Sequence, residues 1–312
     1  MFKKFEDFLI EKSPDVVVCT HQVCANAAAK ARIKAYKNFR IVCVPTDYET
    51  EGLWPHKQAD LFCVANEQMA RTLIARKVDS SKIVISGMPV EASFFSKYVK
   101  KDIKEKFGLP PRKKVALVMV GAKESGPYKN IRKVINSSIK QLANLSGIHF
   151  VFCVGQDNNY KAKLDKKIEK YEIKNFTVVT YIENLAELMA VSDFAIIKPG
   201  GLIITECACA SLPVILVGKT FAQENINRRT LVFNDACEHA ITPKGLINLL
   251  KMLKSDKQKY NSLKTNIGKI GNKNSANVIC AAINNIINQD KNVEIESNLI
   301  SLYVGKTPAH TR

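Results

Sequence analysis

The residues best suited to chemistry lie at 194–206, where an apolar, strand-like run meets a Pro-Gly-Gly turn that opens directly into a helix. The first N–H groups of a helix lack partners within it and the helix dipole adds partial positive charge, so a phosphate can bind there without a metal. Gly200 and Gly201 would let such a ligand approach the backbone closely. Glu206 follows about one and a half helical turns later, where its carboxylate could accept hydrogen bonds from ribose hydroxyls. The pattern predicts a nucleotide site; the competing interpretation is a tight turn between two core elements, with Glu206 as a surface carboxylate.

A second group of polar side chains follows the next apolar run. Gln223, Glu224 and Asn227 come shortly after residues 214–217, which have the pattern of a buried strand. The carboxyl ends of parallel strands meet at one edge of a sheet, so we predict that these side chains lie near the Pro-Gly-Gly turn and bind the hydroxyls of a sugar. The alternative for Gln223 and Glu224 is a solvated helix start, with Glu224 favourably placed on the helix dipole.

The composition is that of a globular protein with a strong positive charge. The 312 residues are 46% hydrophobic and 24% charged, and 47 Lys and Arg against 29 Asp and Glu give a net charge of +18. This charge favours an anionic membrane surface as a partner over nucleic acid, because the sequence has no zinc finger, basic recognition helix or aromatic-interleaved basic sheet. The alternative is a Lys- and Asn-rich composition without such a partner.

The sequence indicates neither a targeting segment nor a metal site. No apolar run reaches the roughly 18 to 20 residues that span a bilayer, and the amino terminus does not resemble a signal peptide, so we expect a cytosolic protein. The nine cysteines are scattered and form no C-x-x-C pair. They fit small core residues in a reducing compartment. Cys207 and Cys209 lie two apart on one predicted helix, so they cannot share one metal from there.

Strand-like and helix-like segments alternate along most of the chain. Apolar runs of the strand type occur at 15–19, 39–44, 61–65, 83–86, 115–120, 149–154, 176–180, 194–197 and 214–217. Helix formers with apolar residues three or four apart fill the gaps, at 25–36, 67–77, 130–145, 159–171, 185–191 and 202–210. Continuous Val- and Ile-rich strands separated by helices predict parallel sheets covered on both faces, in a doubly wound α/β protein.

A break in this alternation between Gly87 and Lys114 predicts the domain boundary. That stretch contains Gly-Met-Pro, a basic helix and Gly-Leu-Pro-Pro-Arg, and a new strand followed by a glycine begins at Lys114. The predicted parts are a first Rossmann-like domain at 1–95, a second at 96–272, a terminal helix at 273–290 and a flexible tail at 291–312.

Several motifs taken together resemble one enzyme family. Lys198-Pro-Gly-Gly-Leu-x-x-x-Glu206 with Gln223-Glu224-x-x-Asn227 resembles the donor-binding half of the inverting, UDP-sugar-dependent glycosyltransferases. The resemblance is closest to the processive diacylglycerol glucosyltransferases and the monogalactosyldiacylglycerol synthases. Upstream motifs fall in the order and spacing of that family: Pro14-Asp-Val-Val-Val-Cys-Thr-His21, Pro45-Thr-Asp-Tyr48, Trp54-x-His56, Val64-Ala-Asn-Glu67 and Ile85-Ser-Gly-Met-Pro-Val90.

This resemblance implies two Rossmann-like domains of the GT-B type and a UDP-hexose donor, with no cofactor and no metal. In that family's terms the Gly200–Gly201 loop holds the diphosphate, Glu206 the ribose, and Gln223 with Glu224 the sugar. The residues implied in donor binding are Gly126, Pro127, Lys198, Pro199, Gly200, Gly201, Leu202, Ile203, Glu206, Gln223, Glu224 and Asn227. The implied acceptor is a lipid hydroxyl, of diacylglycerol or a glycosyl-diacylglycerol, reached by a peripheral protein on the inner face of the cell membrane.

Such a reaction needs a general base for the acceptor hydroxyl and stabilisation of the departing diphosphate. A helix amino terminus and a Lys can perform the second task. For the first, Asp47 at a strand end is the best candidate, with His21 and His56 as weaker ones. A strand-end Asp is often only a turn or cap residue, and this alternative stays open.

The chain departs from the family at its amino terminus. There the family carries a Gly-rich turn with a His and then a membrane-dipping segment, and neither precedes Pro14. We therefore expect an incomplete first domain, in a truncated product, an alternative start, or one part of a split enzyme whose partner chain supplies the rest. Two other functions remain open: transfer of N-acetylglucosamine to an undecaprenyl-linked cell-wall precursor, and a non-catalytic UDP-sugar-binding or regulatory subunit.

Overall fold

The computed structural model describes residues 2–35, 38–50, 53–121 and 128–288. The chain folds into two compact units. The first unit contains the residues up to 45, residues 50–87 and those from 274 onward, and the second contains residues 46–49 and 88–273. The short segment Thr46–Glu49 therefore belongs to the second unit although the sequence on both sides of it belongs to the first.

A four-stranded parallel sheet forms the centre of the first unit. Its strands are neighbours in chain order: β1 (Val16–Cys19), β2 (Arg40–Cys43), β3 (Leu61–Val64) and β4 (Ile83–Ile85). The helices of this unit are α1 (Lys3–Lys12), α2 (Gln22–Ala35), α3 (Glu67–Ala75) and a helix at residues 275–288.

Alternate residues of these strands enter two different cores. Ile41 and Phe62 lie in a cluster with the alanines of α2, whereas Val42 and Leu61 lie in a second cluster with Ile279 of the helix at 275–288. This two-residue period is the natural consequence of strand geometry. Because both faces of β2 and β3 are covered, these strands are apolar apart from Arg40 at the start of β2, as is typical of a parallel sheet.

The second unit is built on a six-stranded, all-parallel sheet with the order β10-β9-β8-β5-β6-β7. Its strands are β5 (Lys114–Met119), β6 (Ile148–Cys153), β7 (Phe176–Val179), β8 (Phe194–Ile197), β9 (Val214–Val217) and β10 (Cys237–Ala240). Its helices are α4 (Lys100–Lys106), α5 (Lys129–Ala143), α6 (Asn158–Lys170), α7 (Leu185–Val191), α8 (Gly201–Cys209), α9 (Ala222–Phe233), α10 (Pro243–Ser255) and α11 (Lys257–Ile270).

The order of the strands reverses between β5 and β8. The chain adds β6 and β7 on one side of β5, then returns to pair β8 with the other side and continues outward through β9 and β10. Such a reversal leaves a crevice outside the carboxyl ends of the strands, and ligands of open α/β sheets bind there. The turn between β8 and α8 lies at this crevice.

The predicted α/β class and the parallel sheets are confirmed. The strand β10 was not predicted, because Glu238 and His239 interrupt its short apolar pattern. Helix α1 was also missed, since its sequence is mostly charged and only Glu6 and Leu9 of this helix are buried. No helix within the described ranges is long and apolar enough to cross a membrane.

Candidate functional site

The Pro-Gly-Gly turn forms the amino end of α8 at the strand reversal. Gly200 is the residue before the helix, with φ −79° and ψ 141°, and the helix begins at Gly201. The N–H of Ile204 donates to the Gly200 carbonyl at 3.2 Å, so the first helical hydrogen bond leaves the N–H groups before it pointing out of the helix end. This end can therefore accept an anion.

Lys198 adds a full positive charge beside this helix end. A Cβ atom built on Gly200 would lie 3.3 Å from Lys198 Nζ, which places the ammonium against the turn. The same nitrogen lies 2.9 Å from Glu224 Oε1 and 5.6 Å from the centre of the Tyr128 ring. Burial raises the pKa of the Tyr128 hydroxyl. The Lys198 and Glu224 side chains are 21% and 30% exposed, so both remain accessible to a ligand.

Packing requires a glycine at position 201. A Cβ at this position would lie 2.1 Å from the Thr46 carbonyl oxygen and 2.8 Å from Asp47 Cα. Real side chains never approach backbone atoms so closely, so the segment at 46–49 rests directly on the first turn of α8. The sequence predicted that Gly201 lets a ligand approach the backbone, whereas in the structure residues 46–49 of the same unit occupy this space.

Asn227 on α9 holds the same segment and the turn together. Its Nδ2 donates to Asp47 Oδ1 at 2.8 Å and to the Pro199 carbonyl at 3.0 Å, while its Oδ1 accepts from the Tyr48 N–H at 2.9 Å. Asn227 is fully buried. Because both amide hydrogens are used within the protein, Asn227 is placed to position Asp47 and not to contact a ligand, unlike the role predicted for it.

Tyr48 continues this network into the body of α8. Its hydroxyl lies 2.9 Å from Thr205 Oγ1, and that hydroxyl donates to the Gly201 carbonyl at 2.9 Å. Burial raises the pKa of Tyr48 to about 12, against a smaller lowering by the Thr205 hydrogen bond, so the phenol stays neutral at physiological pH. The Tyr48–Thr205 pair therefore fixes the segment at 46–49 to the helix by a neutral, buried hydrogen bond.

Glu206 has an unusually high pKa for a carboxyl group. Burial, and to a smaller extent the nearby charge of Glu91, raises it to about 7. A carboxylate in such a place lacks the water that would stabilise its charge, so hydroxyl groups of a ligand would be favourable partners for it. Glu206 lies one and a half turns into α8, and the predicted ribose contact stays a prediction.

A cavity of about 440 Å³ lies at the carboxyl ends of β5, β6 and β7. Its lining residues are Met119, Gly121, Cys153, Gly155, Gln156, Thr180, Tyr181, Ile182 and Leu185. Tyr181 is 68% exposed, so an aromatic face is available at the mouth. The sequence analysis did not identify this cavity, although the position of Tyr181 and Ile182 directly after a strand was the available signal.

The other predicted site residues lie as follows. His21 is in the first unit, where its Nδ1 accepts from the Val23 N–H at the start of α2. His56 is also in that unit, with its Nε2 3.4 Å from the Thr50 carbonyl. Gln223 is exposed on the first turn of α9. Leu202 and Ile203 lie in the first turn of α8, exposed and half-buried respectively, and Pro199 is buried in the turn before it.

Gly126 and Pro127 fall outside the described residues. Within the described ranges, no three His, Cys, Asp or Glu side chains converge as a metal site would require.

Comparison with known proteins finds similarity to one family of glycolipid enzymes. Residues 1–90 match the family model of monogalactosyldiacylglycerol synthase. The processive diacylglycerol beta-glucosyltransferase of Bacillus licheniformis is 28% identical over 284 residues, which cover 90% of this chain and 71% of that protein. The chain is therefore similar to the processive diacylglycerol glucosyltransferases and the monogalactosyldiacylglycerol synthases. As the sequence predicted, it is a glycosyltransferase of the kind that uses UDP-sugars.

A second match covers more of this glycosyltransferase. Residues 55–284 match the family model of UDP-N-acetylglucosamine 2-epimerase, so the chain belongs to the family that this model defines. A solved UDP-GlcNAc 2-epimerase from Neisseria meningitidis, bound to UDP-GlcNAc, is similar with a TM-score of 0.72 and 16% identity over 90% of this chain and 79% of that one. MurG from Acinetobacter baumannii is similar with a TM-score of 0.63 and 16% identity over 90% and 76%. These likenesses show the fold, which confirms the predicted pair of Rossmann-like domains of the GT-B type.

Proposed function

We propose that the chain transfers a hexose, glucose or galactose, from its UDP form to diacylglycerol or a glycosyl-diacylglycerol, with inversion at the sugar carbon. The observation that carries this proposal is the amino end of α8 at the strand reversal. The free N–H groups and the Lys198 ammonium lie at the start of the helix, where they would bind a diphosphate, and Glu206 lies further along it, where it would bind the adjoining ribose. The names of the curated relatives, which are diacylglycerol glucosyltransferases, support the acceptor.

Each part of the UDP-sugar donor has a place in the second unit. The diphosphate lies on the amino end of α8 beside Lys198, and the ribose hydroxyls donate to Glu206. The cavity lined by Tyr181 and Ile182 takes the base, since it is concave, largely apolar and on the neighbouring strands of the same edge. Gln223 and Glu224, at the start of α9, bind the sugar hydroxyls.

The chemistry follows from these positions. The acceptor oxygen forms a bond to the anomeric carbon while the bond from that carbon to the diphosphate oxygen breaks, and UDP leaves. The N–H groups of α8 and Lys198 stabilise the charge that develops on the leaving diphosphate, so this design does not need a metal for that task. Asp47 accepts the proton of the acceptor hydroxyl. Asn227 orients the Asp47 carboxylate through the hydrogen bond to Oδ1 and leaves the second oxygen for the acceptor.

The acceptor is a lipid, so the reaction takes place at a membrane surface. The net charge of +18 favours contact with anionic lipid, and a cytosolic UDP-sugar donor implies the inner face.

One second candidate rests on a specific observation. The match of residues 55–284 to the UDP-N-acetylglucosamine 2-epimerase model favours UDP-N-acetylglucosamine as an alternative substrate. It would be either epimerised or used as the donor for transfer to an undecaprenyl-linked precursor. A non-catalytic UDP-sugar-binding subunit is the third possibility. It keeps the donor site and lacks turnover.

A panel of donors and acceptors tests the proposal. The chain is incubated with labelled UDP-glucose, UDP-galactose or UDP-N-acetylglucosamine and with vesicles that carry diacylglycerol, glucosyl-diacylglycerol or undecaprenyl-linked precursor. The proposal expects labelled glycolipid from a UDP-hexose and diacylglycerol, and none from the Asp47→Asn variant. Product from UDP-N-acetylglucosamine alone would favour the second candidate. Tight UDP binding with no product from any pair would favour the non-catalytic subunit.

A further inference from the structure

A polar groove lies between α5 and α6, on side chains that the proposed donor site does not use. Its volume is about 260 Å³, and its lining includes Asn136, Ser137, Lys140, Lys167 and Tyr171. The donor site is built at the ends of the strands, whereas these residues come from two neighbouring helices.

Positive charge converges on one aromatic ring at this groove. Lys140 Nζ lies 4.8 Å from the centre of the Tyr171 ring, and Lys170 Nζ lies 5.8 Å from the same centre. A third ammonium, that of Lys167, donates to Asn136 Oδ1 at 3.1 Å. The Tyr160 hydroxyl donates to that same oxygen at 3.3 Å, so Asn136 holds Lys167 in place against the groove.

Within the part of the chain that the structure describes, these ammonium groups have no carboxylate partner. Among the described residues, the ion pairs of the two helices are Arg132 with Asp157 and Lys161 with Asp165, and none includes Lys140, Lys167 or Lys170. The sequences of α5 and α6 carry nine Lys or Arg against one Asp and one Glu. Like charges held together repel, and contact with a ring face offsets only part of that cost.

We infer that this groove is a binding site for a phosphate-bearing anion. Two ammonium groups near the Tyr171 ring, and a third oriented by the Asn136 amide, provide the positive charge that a phosphate group needs. Exposed Ser137 adds a hydroxyl donor. The ring of Tyr171 keeps the lysine stems ordered. The anion is either the headgroup of an anionic phospholipid or a free phosphate ion, since both present the same oxygens.

The test uses the whole chain and two probes. Binding is measured at low ionic strength to vesicles of phosphatidylcholine with or without phosphatidylglycerol, and separately to inorganic phosphate by calorimetry. The variants are Lys140→Gln and Lys167→Gln. The matched control is Lys166→Gln, which removes an equal charge from an exposed position on the same helix that does not line the groove.

The inference expects each groove variant to weaken binding about fivefold and the Lys166→Gln control to weaken it less than twofold, as removal of one directed charge implies. Loss of vesicle binding alone identifies a lipid headgroup, and loss of phosphate binding alone identifies a soluble ion. If Lys166→Gln weakens binding as much as the groove variants do, the attraction is spread over the basic surface and the proposed site is wrong. Unchanged binding of both probes to the groove variants would also contradict the site. The result does not depend on transferase activity, because all three variants should titrate with UDP like the wild type.

Discussion

Alanine substitution at Gly200 and at Gly201 should give opposite results, although the two glycines are adjacent. At Gly201 the new Cβ would stand 2.1 Å from the Thr46 carbonyl oxygen, where the neighbouring atom is backbone and cannot rotate away. At Gly200 the nearest atom is Lys198 Nζ at 3.3 Å, the far end of a flexible side chain. The backbone at Gly200 has φ −79°, which alanine adopts without strain.

The expected sizes follow from these contacts. Overpacking against backbone costs about 1 to 3 kcal/mol or more, so Gly201→Ala should lower the free energy of unfolding by about that amount. For a unit of this size such a loss lowers the melting temperature by roughly 2 to 12 °C. Gly200→Ala should change stability by about 0.5 kcal/mol or less, in either direction. It should nevertheless weaken UDP binding, because its methyl group and the displaced Lys198 take up the space of the diphosphate.

Urea unfolding, with calorimetric titration of UDP, separates the two effects. Equal stability of Gly201→Ala and the wild type would refute the packing of residues 46–49 on α8. If Gly200→Ala binds UDP as well as the wild type does, the diphosphate does not lie at this turn.

Three further predictions concern the same site. Because the pKa of Glu206 is raised in the folded state, its protonated form stabilises the fold fully below pH 4.5. This contribution, on the order of 3 kcal/mol, is lost as the pH rises through about 7. In urea unfolding, Glu206→Gln should therefore be more stable than the wild type at pH 8 but not at pH 4. If the Glu206 carboxylate binds ribose, UDP-glucose should bind about tenfold more weakly at pH 6 than at pH 8, and a flat profile by calorimetry would contradict that role. Asn227→Ala removes the three hydrogen bonds of a buried amide and should cost about 2 to 4 kcal/mol in urea unfolding. Gln223→Ala, at an exposed position, should cost about 0.5 kcal/mol or less, and it should lower the affinity for UDP-glucose but not for UDP.

The sequence was informative where the pattern is local. The strand at 194–197, the turn after it and the helix that follows lie where the apolar run and the glycines predict them. The α/β class follows from the same kind of evidence, since continuous apolar strands separated by helices have few other solutions. The family was also identified from short motifs in their order along the chain, and the comparisons confirm it.

The sequence was uninformative where distant segments meet. Asn227 was grouped with Gln223 and Glu224 because the three are close along α9, yet it contacts Asp47, which lies 180 positions away. The pair of Tyr48 and Thr205 joins residues 157 positions apart. No periodicity reports such contacts, and without them a buried amide cannot be distinguished from one that binds a ligand. The cavity at Tyr181 was missed for a similar reason, since it forms only when three strand ends lie side by side.

The proposed transferase function depends most on the binding of uridine diphosphate by the amino end of α8 and Glu206. The most direct measurement is a calorimetric titration of the chain with UDP at pH 8, beside the same titrations with uridine and with the Glu206→Ala variant. We expect one molecule of UDP per chain, much weaker binding of uridine because it lacks the diphosphate, and much weaker binding of UDP to Glu206→Ala. No heat with UDP, or equal affinity of the variant and the wild type, would contradict the account.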